Sequence, residues 1–442
     1  MKRHLTLTNA IYFVLVSFIF NSFLLVKESP SLLIFIIPLF IVLNIIPGSR
    51  PSGTKSRKLK ICNHGTVTLF VFALSLIPSL VCHGILAYCL LPHSYLDLIF
   101  SALWCIVFSA IFFWNGIICV YLTSTQMGIK WRLWGALCGM IPIVNLIILA
   151  KIVNITSEEV EYEIEKEIAS SDPALRDICK TKYPLVFVHG VFFRDNKVFN
   201  YWGRIPNTLK CHGATIFYGQ HQSALTVKES ARELSHRIKL IIERSGCEKV
   251  NIIAHSKGGL DCRYAIAKLG IGERVASLTT INTPHRGCLF ADHLLTKIGA
   301  DIQERVANAY NAVLKKLGDA EPDFLAAVGD LTEARCTQLN AEMPTPEGVY
   351  CQSVGSVLTK ATHGTFPLSF SYHLVKHFSG DNDGLVSETS FAWGEKYVLL
   401  TPPADRGISH GDMIDLTREN IDGFDVREFY VALVHDLKDR GL

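Results

Sequence analysis

The feature that most constrains this chain is a series of long apolar segments in its first third. Each is almost free of charged residues, and together they occupy 9–26, 31–47, 66–91, 98–123 and 133–152. A helix needs roughly 20 predominantly apolar residues to cross the ~30 Å hydrocarbon core of a bilayer. We therefore expect residues 1–152 to form a transmembrane domain of about five helices.

The distribution of charge separates the same region from the rest of the chain. Residues 1–152 contain 11 Lys and Arg but only two acidic residues, Glu28 and Asp97, whereas the remainder contains 32 basic and 38 acidic residues. The formal net charge of the whole chain is only +3, which does not favour a nucleic-acid partner. This difference indicates that residues 1–152 face a bilayer whereas the rest of the chain faces water.

Basic residues also predict an orientation for the membrane domain. Lys2 and Arg3 precede the first run, the second loop (50–60) contains five Lys and Arg, and the fourth contains Lys130 and Arg132. Basic loops face the cytoplasm, so five crossings would place the C-terminal part outside the cell. If the short second run does not cross, the side is reversed. Within the runs, we expect the polar His83 and Asn115 to have helix-packing roles.

An acidic connector at 153–179 leads to a C-terminal domain at 180–442, where short apolar runs alternate with amphipathic stretches. This alternation predicts a mostly parallel sheet covered by helices. The predicted strands are Leu185–Val188, Ala214–Tyr218, Val250–Ala254, Val275–Ile281, Val349–Val354 and Tyr397–Leu400. An apolar stripe from Val227 to Ile241 predicts a helix, with a capping box of Thr226 and Glu229.

Ser256 follows one of these strands and precedes a helical pattern. Ala254 and Gly258 lie two positions to either side of it. A serine nucleophile on a tight strand-to-helix turn needs small residues at these positions, so the segment has the context of a nucleophile elbow. An A-x-S-x-G match alone is weak, and the flanking strand and helix make it specific.

A serine hydroxyl needs a base and an acid that orients the base. Asp383 and His410 follow Ser256 in the chain order that this kind of site uses, and each lies beside an apolar strand-like segment. The backbone N–H groups of Lys257, after the nucleophile, and of Val191, after the first strand, are the candidates for an oxyanion hole. We expect His363, His373, His377 and His435 to be structural.

These motifs resemble those of bacterial true lipases and related esterases of the α/β-hydrolase fold. The resemblance covers roughly residues 182–440 and is carried by YPLVFVHG (183–190), YWGRIPNTL (201–209), KVNIIAHSKGGLDCRYA (249–265), LTTINTPHRG (278–287), NDGLV (382–386) and SHGD (409–412). It implies that Ser256, Asp383 and His410 are catalytic, and that Val191 and Lys257 supply the oxyanion hole. It also implies a bacterial source.

The same resemblance implies a lid over the acyl pocket, formed by an insertion at about 289–335. An apolar residue recurs there every four positions, at Ile298, Ile302, Val306, Tyr310 and Leu314. The alternative is a helix packed permanently on the core. Many such lipases bind calcium through an acid just after the catalytic histidine, which Asp412 matches, and a second acid that 349–380 lacks. We expect no required cofactor and regard calcium as doubtful.

The sequence thus predicts a multi-span α-helical membrane domain followed by an α/β-hydrolase domain on the outer face of a plasma membrane. The expected activity is hydrolysis of carboxylic esters, such as those of lipids, through an acyl-enzyme on Ser256. Two alternatives stay open. The same triad could serve a membrane acyltransferase or a deacylase of a lipidated polymer, or the chain could be a non-catalytic membrane scaffold.

Overall fold

The computed structural model describes residues 6–46, 53–91, 94–139, 141, 143–191, 200–364, 368–401 and 406–442. The chain forms two compact units, Met1–Ser171 and Asp172–Leu442. The first is helical, and the second contains the parallel sheet and the predicted catalytic residues.

The helices of the first unit are α1 (Leu7–Phe20), α2 (Phe23–Glu28), α3 (Leu33–Ile45), α4 (Arg57–Leu90), α5 (Tyr95–Thr123), α6 (Gly128–Cys138) and α7 (Val144–Ala169). Among the described residues, α4 and α5 are the helices that are both long and apolar enough to cross a membrane. Helices α1 and α3 are apolar but shorter. The five-span domain predicted from the sequence is therefore not confirmed.

The fifth predicted run differs most from the prediction. Residues 133–152 do not form one helix, because α6 ends at Cys138 and α7 begins at Val144. Gly139 and the proline at position 142 lie between them in the sequence, and both residue types disfavour a continuous helix. Helix α7 then continues without a break through most of the predicted acidic connector, as far as Ala169.

The two polar residues predicted to pack helices do so. His83 of α4 lies within hydrogen-bonding distance of the Ser79 carbonyl oxygen (2.9 Å) and the Ser101 hydroxyl of α5 (3.3 Å). The Asn115 amide of α5 donates to the Asn44 carbonyl oxygen at the end of α3 (2.7 Å). Each residue joins two helices, which confirms the prediction.

The second unit is built on one six-stranded sheet, in which every neighbouring pair of strands is parallel. Its strands are β1 (Leu185–Val188), β2 (Ile216–Tyr218), β3 (Val250–His255), β4 (Val275–Ile281), β5 (Tyr350–Ser356) and β6 (Lys396–Leu400), arranged in the order β2-β1-β3-β4-β5-β6. All six predicted strands are confirmed, with ends that differ by at most two residues. Parallel pairing places the carboxyl ends of the strands at one edge of the sheet.

Helices pack against both faces of this sheet. The helices of the second unit are α8 (Ile205–Cys211), α9 (Val227–Ser245), α10 (Lys257–Lys268), α11 (Leu289–Thr296), α12 (Ala300–Leu317), α13 (Phe324–Gly329), α14 (Glu333–Glu342), α15 (Leu368–Ser379) and α16 (Val426–Asp439). Alternate strand residues enter different core clusters. Leu185 and Phe187 pack with α8 and α16, whereas Val186 and Val188 pack with α9 and α10. The predicted capping box of α9 is present, with Thr226 and Glu229 bonded reciprocally.

Helices α11 to α13 and the start of α14 account for the insertion predicted at 289–335, between β4 and β5. The predicted apolar stripe is only partly a helix face, since Ile298 precedes α12. Leu314 is buried and Tyr310 stacks on Phe324 with ring centroids 4.8 Å apart, but Ile302 is 55% exposed. The inserted helix α12 is thus packed on the face that carries Leu314 but leaves the apolar side chains of Ile302 and Val313 exposed.

Candidate active site

Ser256 lies on the tight turn between β3 and α10. Its backbone has φ 54° and ψ −134°, a region that non-glycine residues rarely adopt and that costs of order 1–3 kcal/mol. Its N–H donates to the Ile281 carbonyl oxygen (2.9 Å), and its own carbonyl oxygen accepts from the Thr283 hydroxyl (2.8 Å). These contacts hold the strained turn at the carboxyl edge of the sheet.

Glycines surround this turn because there is no space for larger residues. A Cβ atom on Gly258 would overlap the His189 carbonyl oxygen, and one on Gly190 would lie 2.7 Å from the Ser256 Cβ and 3.1 Å from the His255 carbonyl oxygen. The His-Gly turn after β1 therefore lies directly against the candidate nucleophile. Ala254, which replaces the usual glycine, is fully buried in β3.

Asp383 and His410 form a buried hydrogen-bonded pair. The His410 Nδ1 lies 2.6 Å from the Asp383 Oδ2, and the His410 N–H donates to the Asp383 carbonyl oxygen (2.8 Å). The other carboxylate oxygen, Oδ1, accepts from the N–H groups of Leu385 (2.9 Å) and Val386 (2.8 Å). Hydrogen bonds to both oxygens fix the position of the carboxylate, so Asp383 can orient the His410 imidazole.

Asn282 completes the surroundings of this carboxylate and was not predicted from the sequence. Its side-chain amide donates to the Asp383 Oδ2 (2.6 Å) and to the Ser356 hydroxyl (2.7 Å). It follows β4 with φ 48°, a conformation that Asn tolerates better than most residues. The available signal was an asparagine directly after a buried strand in the motif around LTTINTPHRG.

A second hydrogen-bonded path joins the turn after β1 to His410. The Gly190 N–H donates to the Tyr201 hydroxyl oxygen (3.0 Å), the hydroxyl lies 2.7 Å from the His255 Nδ1, and the His255 Nε2 lies 3.2 Å from the His410 carbonyl oxygen. A carbonyl only accepts, so the His255 Nε2 carries the proton and Nδ1 accepts from Tyr201. Burial, with the neighbouring His410, holds the pKa of His255 well below its ordinary value and keeps the ring neutral.

We expect Tyr201→Phe to destabilise the second unit and lower kcat with little change in KM. The substitution leaves the Gly190 N–H and the His255 Nδ1 without this partner in a buried site, which costs about 1–3 kcal/mol. Thermal unfolding and ester-hydrolysis kinetics measure the two effects. Tyr397→Phe, at a partly exposed position of β6, is the matched control. An unchanged midpoint and unchanged kcat for Tyr201→Phe would show that the path holds nothing in place.

The two oxyanion candidates adjoin the Ser256 turn, since Lys257 directly follows Ser256 and Val191 directly follows Gly190, which lies against Ser256. Helix α10 begins at Lys257, so the N–H of that residue is not used by the hydrogen bonds of the helix. Its side chain is buried and donates to the Asp261 carboxylate (2.7 Å) and the Ser230 hydroxyl (3.0 Å). Burial raises the pKa of Asp261 to about 7, against the opposing effect of Lys257. Val191 is buried directly after Gly190.

Gly190→Ala should reduce kcat by at least about 10²-fold, the effect of losing one oxyanion donor. The added methyl group would contact backbone as well as the Ser256 side chain, so the turn that carries the Val191 N–H must move. Ester hydrolysis by the purified variant measures this. Gly272→Ala is the control, because a Cβ there meets nothing closer than 3.7 Å. Equal activity of the two variants would contradict a role for this turn.

Asp412, the predicted candidate for a calcium ligand, is bonded within its own loop and lies beside an arginine. Its Oδ2 accepts from the Ser409 N–H (2.8 Å), and its Oδ1 lies 3.3 Å from the Arg406 guanidinium. Within the described ranges, no cluster of three or more His, Cys, Asp or Glu residues could hold a metal. Asp412 closes the loop that carries His410, and no catalytic step is assigned to calcium.

The parallel sheet, the strained serine turn and the buried Asp–His pair define a unit of the α/β-hydrolase type. Residues 218–320 match the family described as "Putative serine esterase (DUF676)". This match contains Ser256 but ends before Asp383 and His410.

The chain is also similar to proteins named as triacylglycerol lipases. It is 32% identical to one from Pseudarthrobacter phenanthrenivorans over 176 residues, 37% of this chain and 54% of that protein. It is 27% identical to triacylglycerol lipase 2 of Saccharomyces cerevisiae over 270 residues, 56% of this chain and 77% of that protein. The chain spans about half the length of the bacterial lipases it matches.

Among solved structures, the mature Bacillus licheniformis lipase BlEst2 is 20% identical with a TM-score of 0.44, covering 57% of this chain and 92% of that one. The metagenomic carboxyl esterase MGS0156 is 15% identical with a TM-score of 0.46, covering 59% and 76%. At the level of the family, the sequence matches support a lipase- or esterase-like serine hydrolase.

Proposed function

We propose that the second unit hydrolyses carboxylic esters by acyl transfer through Ser256. The observation that carries this proposal is the buried Asp383–His410 pair at the same sheet edge as a serine on a strained strand-to-helix turn. Taken alone, a buried Asp–His pair or a serine on a strained turn could have a purely structural role. Together they are the acid, base and nucleophile that acyl transfer requires.

In the first half-reaction the Ser256 Oγ attacks the ester carbonyl carbon, and the Oγ proton passes to the His410 Nε2. The N–H groups of Lys257 and Val191 stabilise the negative charge that develops on the carbonyl oxygen. The ester C–O bond then breaks, and His410 returns the proton to the leaving alkoxide. In the second half-reaction water attacks the carbonyl carbon of the acyl-enzyme and gives a proton to His410. The bond to the Ser256 Oγ then breaks, His410 returns the proton to Oγ, and the carboxylic acid leaves. Asp383 holds the Nδ1–H throughout.

The proposed substrates are esters of lipids, such as acylglycerols or phospholipids, or smaller carboxylic esters. Several relatives bear the name triacylglycerol lipase, which supports the first class. We assign a lid role to the insertion at 289–335, because α12 leaves Ile302 and Val313 more than half exposed while Leu314 anchors it. A lid predicts higher activity toward emulsified than toward dissolved ester.

The first unit is the proposed membrane anchor. Large apolar side chains are exposed in the C-terminal part of α4 and the middle of α5, including Leu80, Ile85, Ile106, Ile111 and Trp114. Leaving such surface in water is unfavourable by about 25 cal/mol per Å². Contact with hydrocarbon removes that cost, so a bilayer is the solvent that suits this surface.

The function is tested with the full chain purified in detergent and p-nitrophenyl esters of increasing acyl length. We expect release of free carboxylic acid. A second reaction with an added alcohol separates the alternatives, since an acyltransferase would form the new ester in preference to the acid. Absence of turnover with all esters and acceptors, in protein that keeps its thermal unfolding transition, would favour a non-catalytic scaffold.

A further inference from the structure

We propose that α6 and α7 form a re-entrant hairpin, which enters the membrane from its basic face and returns to that face. The chain would then leave the first unit on the cytoplasmic side, and the hydrolase unit would act there. This rests on the proposed membrane anchoring but not on the proposed catalysis. It reverses the outer-face orientation expected from five crossings.

The lengths of the helices are the first argument. At 1.5 Å per residue, α4 (34 residues) and α5 (29 residues) extend about 51 and 44 Å, enough to cross a ~30 Å core. Helix α6 has 11 residues and extends only about 16 Å. The apolar part of α7 ends near Val153, where the acidic segment begins, and is about as short. Neither can cross, but a pair that turns back can lie within the core.

Contacts show where this pair begins. The Arg132 guanidinium of α6 donates to the Ser124 carbonyl oxygen just after α5 (2.6 Å), and the Tyr121 hydroxyl of α5 donates to the Arg132 carbonyl oxygen (3.1 Å). Helix α6 therefore folds back along the end of α5. A Cβ on Gly135 would lie 3.2 Å from the Ile152 side chain, so α6 and the apolar part of α7 lie side by side.

Other contacts show where α7 ends. The Glu159 carboxylate accepts from the Thr125 N–H at the end of α5 (2.7 Å). Eight residues further on, the Glu167 carboxylate accepts from the Lys55 N–H just before α4 (2.8 Å) and from the Thr54 hydroxyl. The Lys58 ammonium at the start of α4 reaches the Thr125 hydroxyl (2.9 Å). The start of α4, the end of α5 and the end of α7 thus lie at the same end of the unit.

Helices α1 to α3 do not change this result. The Asn21 amide near the end of α1 donates to the Ser79 hydroxyl of α4 (3.0 Å), and His64 near the start of α4 contacts the Asn44 carbonyl oxygen at the end of α3 (3.0 Å). The end of α1 therefore lies beside the C-terminal part of α4, and the end of α3 lies beside the start of α4, so α3 brings the chain back to the end of the unit where α4 begins. The side of the C-terminal exit depends only on α4 and α5 crossing once each.

The charges at the two ends assign the sides. The end where α7 leaves has exposed basic residues at Lys55, Arg57, Lys58, Lys60 and Lys130. At the opposite end, Lys27 is paired with Asp97 (2.7 Å). Basic connections face the cytoplasm, so the exit of α7 faces it too.

The cysteines of the second unit agree with that compartment. All 13 cysteines of the chain fall within the described ranges and are free thiols, seven of them in the hydrolase unit. Reduced thiols are the normal state in the cytosol, whereas domains outside the cell tend to form disulfides.

The test is labelling of the full chain with a membrane-impermeant maleimide in right-side-out membranes, followed by peptide identification. Leu91→Cys reports the end opposite the basic residues, and the native, exposed Cys211 of α8 reports the hydrolase unit. The chain with the native Leu91 is the control for Leu91→Cys, and Cys211→Ser is the control for label at Cys211. Both cysteines must be labelled once the membranes are permeabilised.

We expect label at position 91 and none at Cys211 until the membranes are opened. Label at both sites in sealed membranes would show that the chain crosses again after α5 and would overturn the hairpin. Label at Cys211 alone would overturn the cytoplasmic assignment, and label at neither would overturn the crossing of α4 and α5. A fluorophosphonate reaction of the detergent-solubilised protein tests the hydrolase separately, so failure of one proposal is distinguishable from failure of the other.

Discussion

Replacing Ser256 with alanine is expected to reduce kcat by at least about 10⁴-fold, because removal of the nucleophile from a triad abolishes the covalent route. The thermal unfolding midpoint should change little, because the turn is held by the backbone N–H and carbonyl oxygen of Ser256. These bond to the Ile281 carbonyl oxygen and the Thr283 hydroxyl, and neither bond uses the Ser256 hydroxyl. The measurement is ester hydrolysis by the purified full chain at saturating substrate.

Ser245→Ala is the matched control for this variant. Ser245 lies at the exposed end of α9, and its hydroxyl donates to the Ile241 carbonyl oxygen (2.6 Å), away from the sheet edge. Activity should be retained there. Retention of more than about one-tenth of the activity in Ser256→Ala, well above the residual expected of a disabled triad, would assign the nucleophile to another residue.

Asp383→Asn is the second substitution with a large expected effect, a loss of about 10⁴-fold in kcat. The amide cannot accept from all of the donors that surround the carboxylate, namely Leu385, Val386, Asn282 and His410. His410 would then be held in the wrong tautomer or orientation. Leaving buried donors unpaired also costs about 1–3 kcal/mol, so the unfolding midpoint should fall.

Asp381→Asn provides a close control for Asp383→Asn. Asp381 lies two residues earlier, is exposed, and contacts Lys376 at the surface. Its replacement should leave both kcat and the unfolding midpoint nearly unchanged. If the two variants lost activity equally, the effect would belong to the loop as a whole and not to the Asp383–His410 pair.

Local sequence patterns predicted the sheet and the candidate nucleophile because each depends on neighbouring residues. Apolar runs of four to seven residues mark the strands, and a serine between a strand and a helix needs small neighbours whatever the rest of the chain does. The capping box of α9 was predictable for the same reason, since Thr226 and Glu229 are three residues apart.

Features that depend on distant parts of the chain were not predicted. Asn282 reaches Asp383 only because β4 lies beside β5 in the sheet, and Tyr201 meets His255 across 54 positions of sequence. Residues 133–152 are predicted as one crossing, although α6 and α7 are separate helices, because their two apolar segments adjoin in the sequence. Hydropathy reports the solvent that a segment prefers but not where the chain turns back within it.

The most direct test of the proposed chemistry is to locate the residue that a fluorophosphonate modifies in the native, detergent-solubilised chain. A phosphonyl group transferred to a serine Oγ requires the same activated nucleophile and oxyanion contacts as ester hydrolysis. We predict one adduct, on the peptide that contains Ser256, lost in Asp383→Asn and retained in Asp381→Asn. An adduct on another residue, or no adduct in protein that unfolds cooperatively, would contradict the assignment of Ser256 as an activated nucleophile.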